Sequence, residues 1–222
     1  GMSPEALEES IARMKKQGKK IKFLYLVPNF ANPSGVTLSA DRRPKILEIC
    51  KREHILILED NPYGLLYFDK PVPDALRATD EDGVIYLGSF SKILAPGFRV
   101  GYVLAPPAIR DKLVLAQESA LLCPSSFTQF MISEYLAHAD WQKQIDTFRG
   151  VYKERKDAAL AAMQEYLPDL HTTRPDGGFY LWVTLPDGVD SKAMLPLAVK
   201  ELVAYTPGTA FYGDGTGQNK LR

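Results

Sequence analysis

Ile55-Leu56-Ile57-Leu58-Glu59-Asp60-Asn61-Pro62-Tyr63-Gly64 runs as four aliphatic residues into a cluster of acid, amide, proline and glycine. A short continuous apolar run bounded by turn residues is the pattern of a buried strand in a sheet covered on both faces. The pattern recurs upstream in Ile21-Lys22-Phe23-Leu24-Tyr25-Leu26-Val27, and downstream in Val84-Ile85-Tyr86-Leu87, which ends at Gly88-Ser89. Val100 to Leu104 makes a fourth run. Segments of helical period separate them. The first has Ser3 as N-cap, Pro4 at the first helical position, Leu7, Ile11 and Met14 on one face, and Gly18 as a stop. Others cover about Ser39 to Glu53 and Pro107 to Leu122. Strands alternating with helices predict the α/β class.

The texture changes in the second half. From Thr128 to Tyr166 the pattern is almost entirely helical, with Trp141, Ile145, Phe148 and Tyr152 on one face. Asp176-Gly177-Gly178 then turns into Phe179-Tyr180-Leu181-Trp182-Val183, expected to be an alternating strand, followed by a helix near Ser191–Val203 and a glycine-dense loop. A domain boundary is expected near residue 140, dividing 1–140 from 141–222.

Composition excludes several classes. The 222 residues carry 27 basic and 27 acidic side chains, so the net charge is zero and the basic excess typical of nucleic-acid or anionic-lipid binders is missing. The balance points to small-molecule partners. Cys50 and Cys123 make neither a disulfide framework nor a CxxC, and His54, His138 and His171 are isolated, so no metal site is expected and a reducing, cytoplasmic setting is. No apolar run has the length of a membrane span, and no secretory leader pattern opens the chain. Gly1 ahead of Met2 reads as a scar of tag removal.

Ligands of open α/β sheets bind outside the carboxyl ends of the strands, so the residues following each run matter most. The first run leads to Asn32-Pro33-Ser34-Gly35, the second to Asp60-Asn61-Pro62-Tyr63, and the third to Ser89-Phe90-Ser91-Lys92, with Arg99 seven residues on. Pyridoxal phosphate chemistry needs this inventory: a lysine for the Schiff base and a carboxylate that keeps the pyridine nitrogen protonated. It also needs donors to the ring oxygen, and hydroxyls with an arginine for the phosphate. The bland alternatives are a surface lysine, a turn-capping acid and a turn-starting asparagine. Four motifs in order outweigh them.

Asn32-Pro33-x-Gly35, Asp60-Asn61-Pro62-Tyr63, Ser89-x-Ser91-Lys92 and Arg99-x-Gly101 together resemble the class I/II aminotransferases of fold-type I. Within that family the wording is most similar to 2-aminoadipate/kynurenine-type and multi-substrate members. The likeness continues through Pro175-Asp176-Gly177-Gly178-Phe179, Pro207-Gly208-x-x-Phe211 and Asn219-Lys220-Leu221-Arg222. It implies part of a large cofactor-binding α/β/α domain with a mostly parallel sheet, plus most of a smaller α+β domain. The cofactor implied is pyridoxal 5'-phosphate, the substrates an amino acid and a 2-oxo acid, and the assembly a homodimer. By the same resemblance Lys92 forms the Schiff base and shuttles the proton, and Asp60 pairs with the pyridinium nitrogen. Asn32 and Tyr63 bond the ring oxygen, Ser89, Ser91 and Arg99 hold the phosphate, and Arg222, with Asn32 beside it, takes the substrate carboxylate.

Family members carry a large segment ahead of the position where this chain opens, and a terminal strand and helix beyond Arg222. The resemblance therefore implies a fragment, inactive or poorly active alone. Competing readings are an aminotransferase-like sensing domain of a transcription regulator and an inactive gene remnant. Ser89-Phe90-Ser91-Lys92 also fits S-x-x-K, but the S-D-N and K-T-G that accompany it in serine acyl-transferases do not occur. Gly213-Asp214-Gly215-Thr216-Gly217 reads as a flexible loop rather than a phosphate loop, the histidines as surface or helix-end residues, and both cysteines as buried packing residues.

Overall fold

The computed structural model describes residues 1–222. Its larger sheet has four strands in sequence order: β1 (Phe23–Leu26), β2 (Leu56–Asp60), β3 (Val84–Ser89) and β4 (Gly101–Leu104). The first three are parallel and β4 is antiparallel to β3. The registers Leu26↔Glu59 and Asp60↔Leu87 bring the carboxyl ends of β1, β2 and β3 to one edge. Ser89↔Gly101 places the start of β4 at that same edge. The α/β reading with a parallel-dominated sheet holds.

Helices α1 (Pro4–Lys16) and α2 (Arg42–Arg52) build the core against the strands. Ser3 caps α1 through a bond from the Ala6 amide, as its sequence predicts. Leu7 and Ile11 of α1, Ile46 and Cys50 of α2, and Leu26, Ile57 and Val84 from the strands form one cluster. Burial along β2 alternates with period two, so α1 and α2 cover one face, while the other carries Phe23 and Tyr25, each 52% exposed. That alternation separates the two adjacent acids. Glu59 faces the core, fully buried, and accepts the Leu76 and Arg77 amides at 3.0 Å at the start of α3 (Leu76–Thr79). Asp60 faces the opposite side.

Three expectations from the sequence are refined or corrected. The stretch 128–166 is two helices, α5 (Ser126–His138) and α6 (Trp141–Tyr166), broken at Ala139-Asp140 where the Asp140 side chain caps α6 through the Lys143 amide. Before them lies α4 (Pro107–Leu121), and Cys123, in the turn that follows, is exposed rather than buried. Of the expected strand 179–183 only Val183 lies in a regular strand, Val183–Thr184. Gly178 has φ of +75° and donates its amide to the Leu66 carbonyl, while Gly177 bridges Tyr67 and the Asp176 carbonyl accepts from the Phe68 amide, which spends the backbone of this turn on the loop after β2. A small antiparallel sheet of β5 (His171–Thr172), β6 (Val183–Thr184) and β7 (Lys220–Leu221) follows, with α7 (Ser191–Lys200) between β6 and β7. His54 ends α2, His138 ends α5 and His171 is exposed, as expected. No helix is long and apolar enough to cross a membrane.

Candidate active site

The edge where β1, β2 and β3 end is held by a buried polar network. Arg43, from α2, donates to Asn29 Oδ1 at 2.7 Å and to the carbonyls of Leu38, Pro73 and Asp74. Asn29 Nδ2 in turn donates to Asn61 Oδ1 at 2.9 Å, and Asn61 Nδ2 to the Tyr86 hydroxyl at 3.1 Å. Loops after β1 and β2 are thereby locked to β3. Every polar side-chain atom buried here is paired, as buried polar groups must be.

Asp60 sits at the end of β2, half-buried. Its Oδ2 accepts from the Tyr25 hydroxyl at 2.5 Å, and Oδ1 accepts no hydrogen bond within the chain. Tyr63 is buried three residues on, and its hydroxyl lies 3.2 Å from that of Tyr180. Burial, then the Tyr180 hydroxyl, hold the Tyr63 phenol well above its ordinary range, with the Asp60 charge adding and Arg222 opposing. Arg222 donates to Asn32 Oδ1 at 2.7 Å and to Thr206 Oγ1 at 3.1 Å, and its guanidinium lies 4.5 Å from the centre of the Tyr180 ring. Asn32, Tyr63 and Arg222 are thus gathered around Tyr180, and Tyr63 also lies within electrostatic reach of Asp60.

The lysine-bearing loop forms a second group. Ser89 Oγ accepts the Ser91 amide at 3.1 Å, and the Leu94 amide closes a turn on the Phe90 carbonyl at 2.9 Å. Lys92 is exposed on this turn, and no hydrogen bond or ion pair within the chain engages its Nζ. The Phe90 amide bonds the Val100 carbonyl at 3.2 Å, which brings Arg99 beside the serine turn. Arg99 itself is left-handed (φ 55°), and its guanidinium reaches only the Pro96 carbonyl, at 3.4 Å. Strand order brings this group to the same sheet edge as Asp60. No hydrogen bond or ion pair joins Lys92 or Arg99 to Asp60, Tyr63 or Asn32.

Tyr25 and Tyr180 escaped the sequence reading, as did Thr206 and the buried network of Arg43, Asn29 and Tyr86. Tyr25 lay inside a run read as plain apolar strand, and Tyr180 inside an expected alternating strand. For Tyr25 a signal existed, since parallel neighbouring strands put residues of matching parity on one face. For Tyr180 none did.

The chain matches the family model described as aminotransferase class I and II over residues 1–222. It is 43% identical over 224 residues to aromatic-amino-acid aminotransferase 1 of Thermococcus litoralis, covering 100% of this chain and 54% of that protein. It is 35% identical over 227 residues to 2-aminoadipate transaminase of Thermus thermophilus, covering 100% of this chain and 56% of that protein. The structure superposes on a crystal structure of Pyrococcus horikoshii kynurenine aminotransferase in complex with PMP, with TM-score 0.95, 45% identity, and coverage of 100% of this chain and 55% of that one. The chain spans about half the length of the curated relatives it matches. With its whole length matched and its sheet superposed, the chain belongs to the class I and II aminotransferase family.

Proposed function

We propose that this chain carries the lysine-bearing part of a pyridoxal-5'-phosphate-dependent aminotransferase, which moves an amino group from an amino acid to a 2-oxo acid. The observation that carries the reading is the convergence of Asp60, Tyr63, Ser89, Ser91, Lys92 and Arg99 on one sheet edge, with Asn32 and Arg222 paired beside Tyr63. The donor set fits the cofactor. Asp60 has one free oxygen for a ring nitrogen, Lys92 an unpaired amine, and Arg99 a guanidinium with a single 3.4 Å carbonyl partner.

Each side chain has a task in this scheme. Bound pyridoxal phosphate supplies an aldehyde that captures amino groups and a ring that withdraws electrons. Asp60 Oδ1 holds a proton on the ring nitrogen, and Asn32 Nδ2 and the Tyr63 hydroxyl donate to the ring oxygen. Ser89, Ser91 and Arg99 bind the phosphate. Lys92 Nζ would hold the cofactor at its aldehyde and, when released, would serve as the base at the substrate α-carbon. Arg222 presents its fork to the substrate carboxylate, with Asn32 Oδ1 orienting the guanidinium. The aromatic-amino-acid, 2-aminoadipate and kynurenine aminotransferases among its relatives support aromatic amino acids, 2-aminoadipate or kynurenine as the donor class.

The proposal extends to organisation. Residues 1–140 belong to the large cofactor-binding domain and 141–222 to the small one, a division supported by the separate sheets. Exposed Leu113, Val114 and Leu115 of α4 and Phe127 and Phe130 of α5 support a homodimer. Two free thiols support a cytoplasmic setting in amino-acid metabolism.

Transfer between a panel of amino acids and 2-oxo acids tests this in the protein that contains the chain. Lys92→Ala is expected to abolish it, and Asp60→Ala to slow it by about 100-fold or more. Wild-type rates in Lys92→Ala overturn the reading.

A further inference from the structure

Tyr25 belongs to none of the motifs above. In β1 it registers with Leu58 of β2, so it shares a sheet face with Leu58 and, two residues further, with Asp60. From there its hydroxyl reaches the Asp60 carboxylate and donates to Oδ2 at 2.5 Å. A hydroxyl donating to a carboxylate at such a distance makes one of the stronger hydrogen bonds available to a side chain. Packing does not account for the residue: its ring is half exposed, and phenylalanine would fill the same place.

The neighbours of Asp60 are fastened elsewhere. Asn61 is tied to Asn29 and Tyr86, and the Tyr63 hydroxyl to Tyr180. The bond from Tyr25 is the one hydrogen bond that the Asp60 side chain makes. A carboxylate turns easily about its terminal torsion, whose energy wells are broad. One fixed oxygen therefore fixes the other. Burial first, then the carboxylate, push the Tyr25 phenol up to about 12, so the donor keeps its proton throughout the neutral range.

We propose that Tyr25 is a positioning residue for Asp60, pinning Oδ2 so that Oδ1 is the oxygen presented to the ring nitrogen of the cofactor. This rests on the pyridoxal phosphate reading above. Tyr25 acts only through Asp60, so its removal should matter only while Asp60 is present.

Four proteins test it: wild type, Tyr25→Phe, Asp60→Ala and the double variant, each checked for native circular dichroism. The first arm uses no cofactor and follows tyrosine ionisation by ultraviolet difference titration. Asp60→Ala is expected to bring two phenols to lower pH in the wild-type background, Tyr25 through the lost hydrogen bond and Tyr63 through the lost charge, and only Tyr63 in the Tyr25→Phe background. A change on removing Asp60 that is the same in both backgrounds overturns the pairing. The second arm titrates pyridoxal phosphate into each protein and follows its visible absorption. Tyr25→Phe is expected to raise the apparent Kd by about tenfold when Asp60 is present, and by less than about twofold in the Asp60→Ala background. Equal factors in both backgrounds, or no change in either, overturn the positioning role. A wild-type chain that captures no cofactor overturns the proposed function instead, and the phenol titration then still decides whether Tyr25 and Asp60 act as a pair.

Discussion

Arg222 donates to Asn32 Oδ1 at 2.7 Å across 190 residues of sequence, and lays its guanidinium 4.5 Å from the Tyr180 ring centre. The last residue of the small sheet region is thus fastened to the loop after β1. A planar fork achieves both contacts together, which an ammonium does not. Arg222→Lys is expected to cost about 1 kcal/mol in urea unfolding, although the charge is kept. Unchanged stability would show that charge alone holds this joint.

Tyr180 supports Tyr63 from the other side. Tyr180→Phe keeps the ring under Arg222 but removes the hydroxyl 3.2 Å from Tyr63. The Tyr63 phenol, raised first by burial and next by this hydroxyl, should titrate lower than in wild type while staying above an exposed tyrosine. Unfolding should cost about 0.5–1.5 kcal/mol. A titration curve identical to wild type contradicts this.

Gly35 closes the Asn32-Pro33-x-Gly35 turn with φ of +69°, and a Cβ there would stand 2.6 Å from the Tyr180 carbonyl oxygen. Both the backbone conformation and the close approach demand glycine. Gly35→Ala should lower stability by more than about 1 kcal/mol, read as a fall in the urea midpoint at constant m. A midpoint equal to wild type would show that the turn can relax away from Tyr180.

Arg43 is 5% exposed, and its guanidinium serves Asn29 and three backbone carbonyls. Burial lowers its pKa, while the neighbouring Glu59 and Asp74 charges oppose that shift. Arg43→Met fills the volume but leaves those acceptors unpaired, and should cost about 3 kcal/mol or more. It should also accelerate amide exchange around Asn61, which Asn29 holds. Protection of the 60–64 loop at wild-type level would contradict the network.

Alkali should unfold the chain through its buried acids. Burial raises the Cys50 thiol from 9.0 to about 11 and the Tyr86 phenol from 10.0 to about 12. The folded chain holds these protons longer than the unfolded one, so stability falls as pH rises. The contribution is whole below the unfolded values and is lost between about pH 9 and 12. Cys50→Ala should flatten the decline between pH 9 and 11, whatever it costs at pH 7. An unchanged slope would place the alkaline sensitivity elsewhere.

Much of this was legible in the residues. Four apolar runs became β1 to β4, and the polar residues that follow the first three lie at one edge because those parallel strands all end there. The antiparallel turn of β4 was not legible, since an apolar run has no direction. Glu59 and Asp60 looked alike as neighbours, yet strand parity sends one to the core and the other to the site. Tyr25 could have been found by the same parity. Tyr180 could not, because its place depends on the turn at Gly177-Gly178 pairing with Tyr67, a contact across more than a hundred residues. Cys123 was misplaced because α4 and α5 leave their connecting turn uncovered.

Everything proposed for this site depends on Lys92 being the amine that captures the cofactor. The direct measurement is to add pyridoxal phosphate, reduce with borohydride, digest, and locate the modified lysine by mass spectrometry, with Lys92→Ala alongside. A single dominant label on the Lys92 peptide is expected, and its disappearance in the variant. A label spread over surface lysines, or one that survives in Lys92→Ala, contradicts it.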